Sequence, residues 1–362
     1  MAALRAALLA LIATIGVGVG APPAWAQQGL PEASPDSLPQ GSEVTAPLRR
    51  GSNGEIQVIT PELLRKNGEP VCAPDALCVG EGGTYKSLAA ALAAAKPGAT
   101  IDLVGGTYRE AATIAVPGLT LRGTAGRPHL DCAGLAPAGG RACLLLAAKS
   151  ITLETLEITG AAGACIANAP NQDFTVRDVI CHDSEAGVRG DGGAALIERS
   201  EFFTNGRDGS GDGVFEGACT LTVRGSAFRD AASGDELAAA CGKIEITDST
   251  FRGMNSEHTI EFPGAGDVLL YRATLETRPT AGKEIIAYAS KSCAHPGNLV
   301  LKQVAIANLR VGAEIRNYNL CKEGEVALEG VDVTGFTVGT EGFVVDHGGN
   351  SLRPARGGGT AQ

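Results

Sequence analysis

The sequence predicts an all-β fold, a right-handed parallel β-helix (solenoid) with an N-terminal α-helical cap. Three observations predict it. The first is a repeat whose starts are Leu153, Val176, Ile197, Val223, Ile246, Leu270, Leu301 and Leu328, separated by 23, 21, 26, 23, 24, 31 and 27 residues. A self-similar period of this size marks a solenoid. The second is that an apolar residue follows each start by five positions: Ile158, Cys181, Phe202, Phe228, Phe251, Leu275, Ile306 and Val333. The third is that each repeat holds three short strand-like segments separated by Gly, Asp and Ser, with no helical stretch between them. Parallel crossovers are almost always right-handed, which sets the expected hand.

The elements follow in chain order. Residues 1–26 read as a secretory signal peptide: Arg5 is its positive region, Leu8 to Val19 its apolar region, and Ala24-Trp25-Ala26 a small-x-small site with cleavage after Ala26. The apolar run is shorter than the roughly 20 residues a spanning helix needs, and no other stretch is long and apolar enough, so stable membrane insertion is not expected. Residues 27–70 are rich in Pro, Gly, Ser and Gln and read as a disordered linker. Residues 71–350 form the β-helix domain, and residues 351–362 a disordered tail. Within the domain, Ser87 to Lys96 is the clear helix. Ser87 caps it, Leu88, Ala91, Leu92 and Ala95 share one face, and Pro97-Gly98 stops it.

The first strands are then 100–104, 105–108 and 119–123, followed by nine or ten coils in all. A coil opens with an alternating strand such as 221–224 or 244–247, which buries one face. A second strand follows through Ser-x-Phe at Ser200, Ser226 and Ser249. The third strands centre on Ile166, Val188, Val214, Leu237, Ile260, Ile286, Ile315 and Val344. A leucine-rich repeat is the competing architecture. It fits Leu153, Leu156 and Ile158 for one turn, but later coils replace the middle Leu by Ser or Ala and no Asn closes the strand.

The formal net charge is −10, and removal of residues 1–26 takes away Arg5 and no acid, leaving −11. Nucleic acid, which attracts basic stripes, is thereby excluded as a partner. All ten Cys follow the signal segment, which points to disulfides and a secreted or periplasmic location. Cys219 and Cys241 lie four and five residues before their repeat starts, and Cys293 and Cys321 eight and seven before theirs. Stacked coils bring such pairs within about 5 Å, which suits Cys219–Cys241 and Cys293–Cys321 bridges. Cys72–Cys78 and Cys132–Cys143 close local loops. Cys165 and Cys181 both face inward, as a fifth bridge or as buried thiols.

The segment GGTYKSLAAALAAAKPGATIDLVGGTYREA, with LTLRG after it, resembles the N-terminal cap and first coil of pectin-lyase-like right-handed parallel β-helix proteins. The resemblance covers roughly residues 80–346. It implies the β-helix and, as many relatives act on polysaccharides, a carbohydrate polymer as partner. GDGVFEG (211–217), SGDELAAA (233–240), HTIEFP (258–263) and EIIAYAS (284–290) resemble a secreted subfamily without settled activity. In that pattern Glu261 and the IIAY segment match. The resemblance implies His where this chain has Asp212 and Asp235, and basic residues near Ala238 and Ala240. The motif sets of polygalacturonases and pectate lyases are absent.

The third strand serves as a ruler for the chemistry. Two residues before its centre lie Asp212, Asp235, His258 and Glu284 on four consecutive coils. Glu257 and Lys283 stand one earlier, Glu261 and Arg316 one after the centre, and Glu216 and Tyr288 two after it. The expected catalytic set is Asp212, Asp235, His258, Glu261 and Glu284. The expected substrate-binding set is Glu216, Phe215, Glu236, Lys283, Tyr288 and Arg316, with Tyr318 as a further stacking candidate. Neighbouring carboxylates push one pKa up and make a proton donor, and His258 is a base. A lyase would take Lys283 or Arg316 as its base. Calcium held by Asp212, Asp235 and Glu257 is the alternative use of the column; otherwise no metal or cofactor is expected. Two Met and five scattered His supply few soft ligands for copper. The same Gly-Asp segments, 209–213 and 233–237, also suit bare coil corners. His129 and His182 read as structural or exposed. The function read from the sequence is binding or processing of a polysaccharide or cell-envelope glycan along one face of the solenoid. The alternative is a non-catalytic structural or adhesive envelope protein with a degenerate site.

Overall fold

A computed structural model describes residues 71–253, 255–277, 284–308, 314–322, 324–336 and 340–354, and the backbone of 48–50 and 56–58. The expected signal peptide, much of the linker and the end of the tail lie outside these residues. Within the stretch read as linker, Leu48–Arg50 pairs antiparallel with Ile56–Val58.

From residue 71 the chain is a parallel β-solenoid. The first-strand ladder places Leu77, Ile101, Leu121, Leu153, Val176, Ile197, Val223, Ile246, Leu270, Leu301, Leu328 and Asp346 in one register. All eight repeat starts read from the sequence fall on it. The eight second-strand positions from Ile158 to Val333 share a second ladder. Their inward side chains make the core. Phe202, Phe228 and Phe251 stack face to face, with centroids 4.9 and 5.4 Å apart, one ring per strand spacing.

Local chemistry sets the corner between these strands. Two residues after each repeat start the chain passes through one left-handed residue: Thr155, Asp178, Arg199, Gly225, Asp248, Arg272, Gln303 and Gly330, with φ between 45° and 62°. The Ser of Ser-x-Phe then satisfies the backbone groups this turn exposes. Ser200 Oγ accepts from Val179 N at 3.1 Å and donates to Glu198 O at 2.9 Å. Ser226 and Ser249 repeat the pattern one and two coils on.

The third-strand ladder runs through Ala112, Leu144, Ile166, Val188, Gly213, Leu237, Ile260, Ile286, Ile315 and Thr340, ten rungs among the described residues. Two expected centres are displaced. Gly213, not Val214, pairs with Leu237, and Val344 pairs with Val326 on the first ladder while Thr340 takes the third-strand position. In a strand, a shift of one residue moves each side chain to the other side, and the site depends on it.

The one helix of the described residues, Leu88–Ala94, has Ser87 Oγ accepting from Ala90 N at 3.2 Å and buries Leu88 and Ala91. Glu110 adds two backbone contacts, accepting from Leu88 N and Ala89 N at 3.0 Å each. No helix among the described residues is long and apolar enough to cross a membrane.

Five disulfides lock the stack. Cys219–Cys241 and Cys293–Cys321 join neighbouring coils, with Cα atoms 4.7 and 5.2 Å apart. Cys72–Cys78 and Cys132–Cys143 close short loops. Cys165 and Cys181 form the fifth bridge, across the core.

Candidate functional site

The third-strand register resolves the expected column into two. Asp235, His258 and Glu284 stand on consecutive coils, as the ladder Leu237–Ile260–Ile286 requires. Asp212 does not join them, because Gly213 holds the rung position and Asp212 aligns instead with Glu236. Both carboxyls are fully buried. Asp212 Oδ1 accepts from Asn205 Nδ2 at 2.9 Å and Oδ2 from the Arg229 amide at 3.1 Å, while both oxygens of Glu236 accept from the Ala231 amide. Burial pushes Asp212 up to about 7. Burial, then the field and hydrogen bond of Asp212, pushes Glu236 well above the carboxylate range. They lie side by side inside the solenoid, which corrects the catalytic role expected of Asp212 and the binding role expected of Glu236.

Two expected aromatic platforms are also internal. Phe215 is a core ring, and Tyr288 is fully buried with its hydroxyl donating to Gly266 O at 2.9 Å and Gly297 O at 2.7 Å. Phe215 faces inward for the same reason that Asp212 leaves the column: Gly213, not Val214, is the inward centre. Lys283 lies outside the described residues. Tyr318 is at the surface, donating to Glu284 Oε1 at 2.9 Å.

The remaining residues converge. The His258 amide donates to Asp235 Oδ1 at 2.7 Å and Nδ1 lies 3.1 Å from the same oxygen. His258 Nε2 lies 3.4 Å from Glu284 Oε2. Arg316 donates to Glu284 Oε1 at 3.0 Å and to Glu341 at 2.8 Å. Beside this relay stands Glu261, which accepts from Ser290 Oγ at 2.5 Å and Lys291 Nζ at 2.9 Å. One carboxylate oxygen each from Asp235 and Glu261, and one ring nitrogen of His258, lie within 4.8 Å of one another.

The environments push these groups in different directions. Burial raises Asp235, and the hydrogen bond to His258 only partly offsets it. Burial also raises Glu261, but Ser290 and Lys291 outweigh it and leave this carboxyl below its ordinary value. Burial disfavours the His258 imidazolium, yet Asp235 and the fields of Glu261 and Glu284 prevail and raise its pKa. Burial of Glu284 is likewise outweighed by Arg316 and Tyr318, and its pKa falls. Two carboxyls with opposite shifts at one place supply an acid and an ionised partner.

Asp235 and Glu261 open into a groove of about 270 Å³. Its floor includes Val214 and Ala238, and its walls carry Ser210, Glu216, Glu257 and Lys291. Ala238 aligns with Val214 and Glu261 on adjacent coils, so its small side chain leaves the depression between them. His258 and Glu284 sit behind the lining. Ser290 and Lys291, the partners that set Glu261, lie past the end of the Glu284–Tyr288 strand, where no repeat phase points to them.

A divalent cation would find two carboxylates and one imidazole here. Both imidazole nitrogens already face carboxylates and an ammonium occupies Glu261, so the donor set fits proton transfer better than ligation. The calcium set expected from the sequence does not assemble, since Asp212 turns into the core.

His182, read from the sequence as structural or exposed, is paired on the second-strand face. It lies 3.2 Å from Glu157 and 2.6 Å from Asp183, and its ring stacks on Phe203 at 4.6 Å.

No family model matches the chain, and no curated protein matches it. Among solved structures, an alginate lyase from Paenibacillus sp. str. FPU-7 is similar at 13% identity and a TM-score of 0.48, over 78% of this chain and 98% of that one. A pectate lyase is similar at 12% identity and a TM-score of 0.37, over 78% and 77%. The catalytic domain of an α-1,3-glucanase in complex with nigerose is similar at 11% identity and a TM-score of 0.38, over 78% and 70%.

Proposed function

We propose that the third-strand face binds a carbohydrate polymer outside the cytoplasm, and that Asp235 and Glu261 cleave it by acid–base chemistry. The observation that carries this reading is the convergence of Asp235, His258 and Glu261 within 4.8 Å, with Asp235 and Glu261 lining an open groove. One oxygen of Asp235 lies within 4.8 Å of one of Glu261, nearer the roughly 5 Å carboxyl separation of retaining glycosidases than the wider separation of inverting ones.

Asp235, raised by burial, gives its proton to the glycosidic oxygen as the bond to the anomeric carbon breaks. Glu261, ionised by Ser290 and Lys291, meets the developing positive charge and bonds to that carbon. Water then displaces Glu261 and returns a proton to Asp235. His258 holds the Asp235 carboxyl and couples it to Glu284; it is a positioning residue, and Glu284 is anchored in turn by Arg316 and Tyr318. Five disulfides, together with the signal segment expected at residues 1–26, support a secreted or periplasmic location.

The test is a panel of neutral, cationic and uronate oligosaccharides assayed for new reducing ends. The wild type releases product from at least one class. Asp235→Asn lowers the rate by about 10²–10⁴-fold, as loss of a general acid does, with the Tm unchanged. Binding without product from any glycan would establish the non-catalytic envelope protein instead, and absence of both would overturn the glycan reading.

A further inference from the structure

The carboxylates of the groove are not neutralised in the way those of the neighbouring faces are. On the neighbouring faces these acids are paired with Arg side chains: Arg177 joins Glu154 and Glu198 at 2.6 and 2.8 Å, and Arg229 joins Glu201 at 2.5 Å. In the groove, Lys291 is the single cation of the lining among the described residues and is committed to Glu261. Glu216 and Glu257 are exposed, and no ion-pair partner is recorded for either among the described residues. Asp235 adds a further observation. It makes both of its His258 contacts through Oδ1. Among the described residues Oδ2 has no hydrogen-bond partner, although the side chain is only 10% exposed and lines the groove.

Glu216 leaves the face at its C-terminal edge and Glu257 enters it at the opposite edge, two coils on. That separation is about 10 Å along the stack. Anionic walls of this kind raise the local concentration of cations and repel polyanions, and a carboxylate–ammonium hydrogen bond is stronger than one to a neutral hydroxyl.

Building on the glycan-site reading, we propose that the groove selects a glycan bearing free ammonium groups, an amino-sugar polymer without N-acetyl groups, over neutral and uronate polymers. The sugar lies across the Val214–Ala238 floor with ammonium groups against Glu216 and Glu257. Asp235 Oδ2 faces the linkage to be cut.

The experiment measures binding of glucosamine, N-acetylglucosamine and galacturonate oligomers of equal length to the wild type and to a Glu216→Gln/Glu257→Gln variant, at 20 and 300 mM salt, with and without calcium. The glucosamine oligomer is expected to bind at least tenfold tighter than the other two. It should weaken with salt, and it should lose that advantage in the variant, whose thermal transition stays in place because both positions are exposed. Equal binding of acetylated and free oligomers would overturn the selection while leaving the glycan site standing. Binding of the galacturonate oligomer only when calcium is added would overturn it in favour of a cation-bridged uronate. Failure of all three to bind would remove the glycan reading itself.

Discussion

The second- and third-strand faces of the solenoid share the same coils and treat charge in opposite ways. On the second-strand face a column of His182, Phe203, Arg229 and Arg252 is held in register. Each charge is closed by a neighbour: His182 by Glu157 and Asp183, Arg229 by Glu201 and Asp230, Arg252 by Asp230. The Arg229 guanidinium also lies 4.0 Å over the Phe203 ring. The third-strand face has a depression at Ala238 and carboxylates left open beside it. One face spends its polar groups on itself; the other keeps them for something else. Polar residues in a stacked ladder are therefore informative only once their partners are known.

The largest effect that sharpens this contrast is Glu261→Gln. It should lower turnover by about a thousandfold, as loss of the carboxylate that bonds to the anomeric carbon does, with little change in thermal stability. A comparable loss of stability would show that the groove is structural after all. Phe228→Ala tests the other side. It removes the middle ring of the Phe202–Phe228–Phe251 stack, so denaturant unfolding should show a loss of about 3–5 kcal/mol.

The buried pair between the faces gives a pH signal. The folded state holds Asp212 and Glu236 above their unfolded values. It therefore binds more protons than the unfolded chain between about pH 4 and pH 7, and stability falls as pH rises through that window. Glu236→Gln removes one ionisation and keeps a hydrogen-bonding group. Relative to wild type, this variant should gain about 1–2 kcal/mol between pH 5 and pH 8, read as the difference between two Tm-against-pH curves. Parallel curves would mean that the pair holds no shared proton. The smallest effect is Arg229→Met on the self-paired face. As the pair is partly exposed, the change should stay within about 1 kcal/mol and leave glycan binding untouched.

Where side chains repeat, the sequence was easy to read. Every first- and second-strand rung from Leu153 to Val333 follows from apolar spacing, because those ladders fill the core with large side chains. Four of the five disulfides followed from phase or from short loops. The third ladder was readable only where its rung carries an apolar side chain. At Gly213 it carries none, so Val214 stood in for it, and Asp212 and Phe215 were assigned outward by one residue of slip. Asp235, His258 and Glu284, counted from Leu237, Ile260 and Ile286, were placed correctly. The polar partners that tune Glu261 could not be found this way, since Ser290 and Lys291 lie in a corner whose length obeys no period.

The left-handed residue between the first and second strands holds a further consequence, for how such a protein changes over generations. From Leu153 to Val333 that corner does not vary: the first- and second-ladder positions stay five residues apart in eight successive coils. Within those eight coils all variation in length is thereby exported to the two corners that flank the third strand. Insertions and deletions are channelled to the margins of the groove, so the specificity of the site can be redrawn by loop exchange while the stack beneath stays in register.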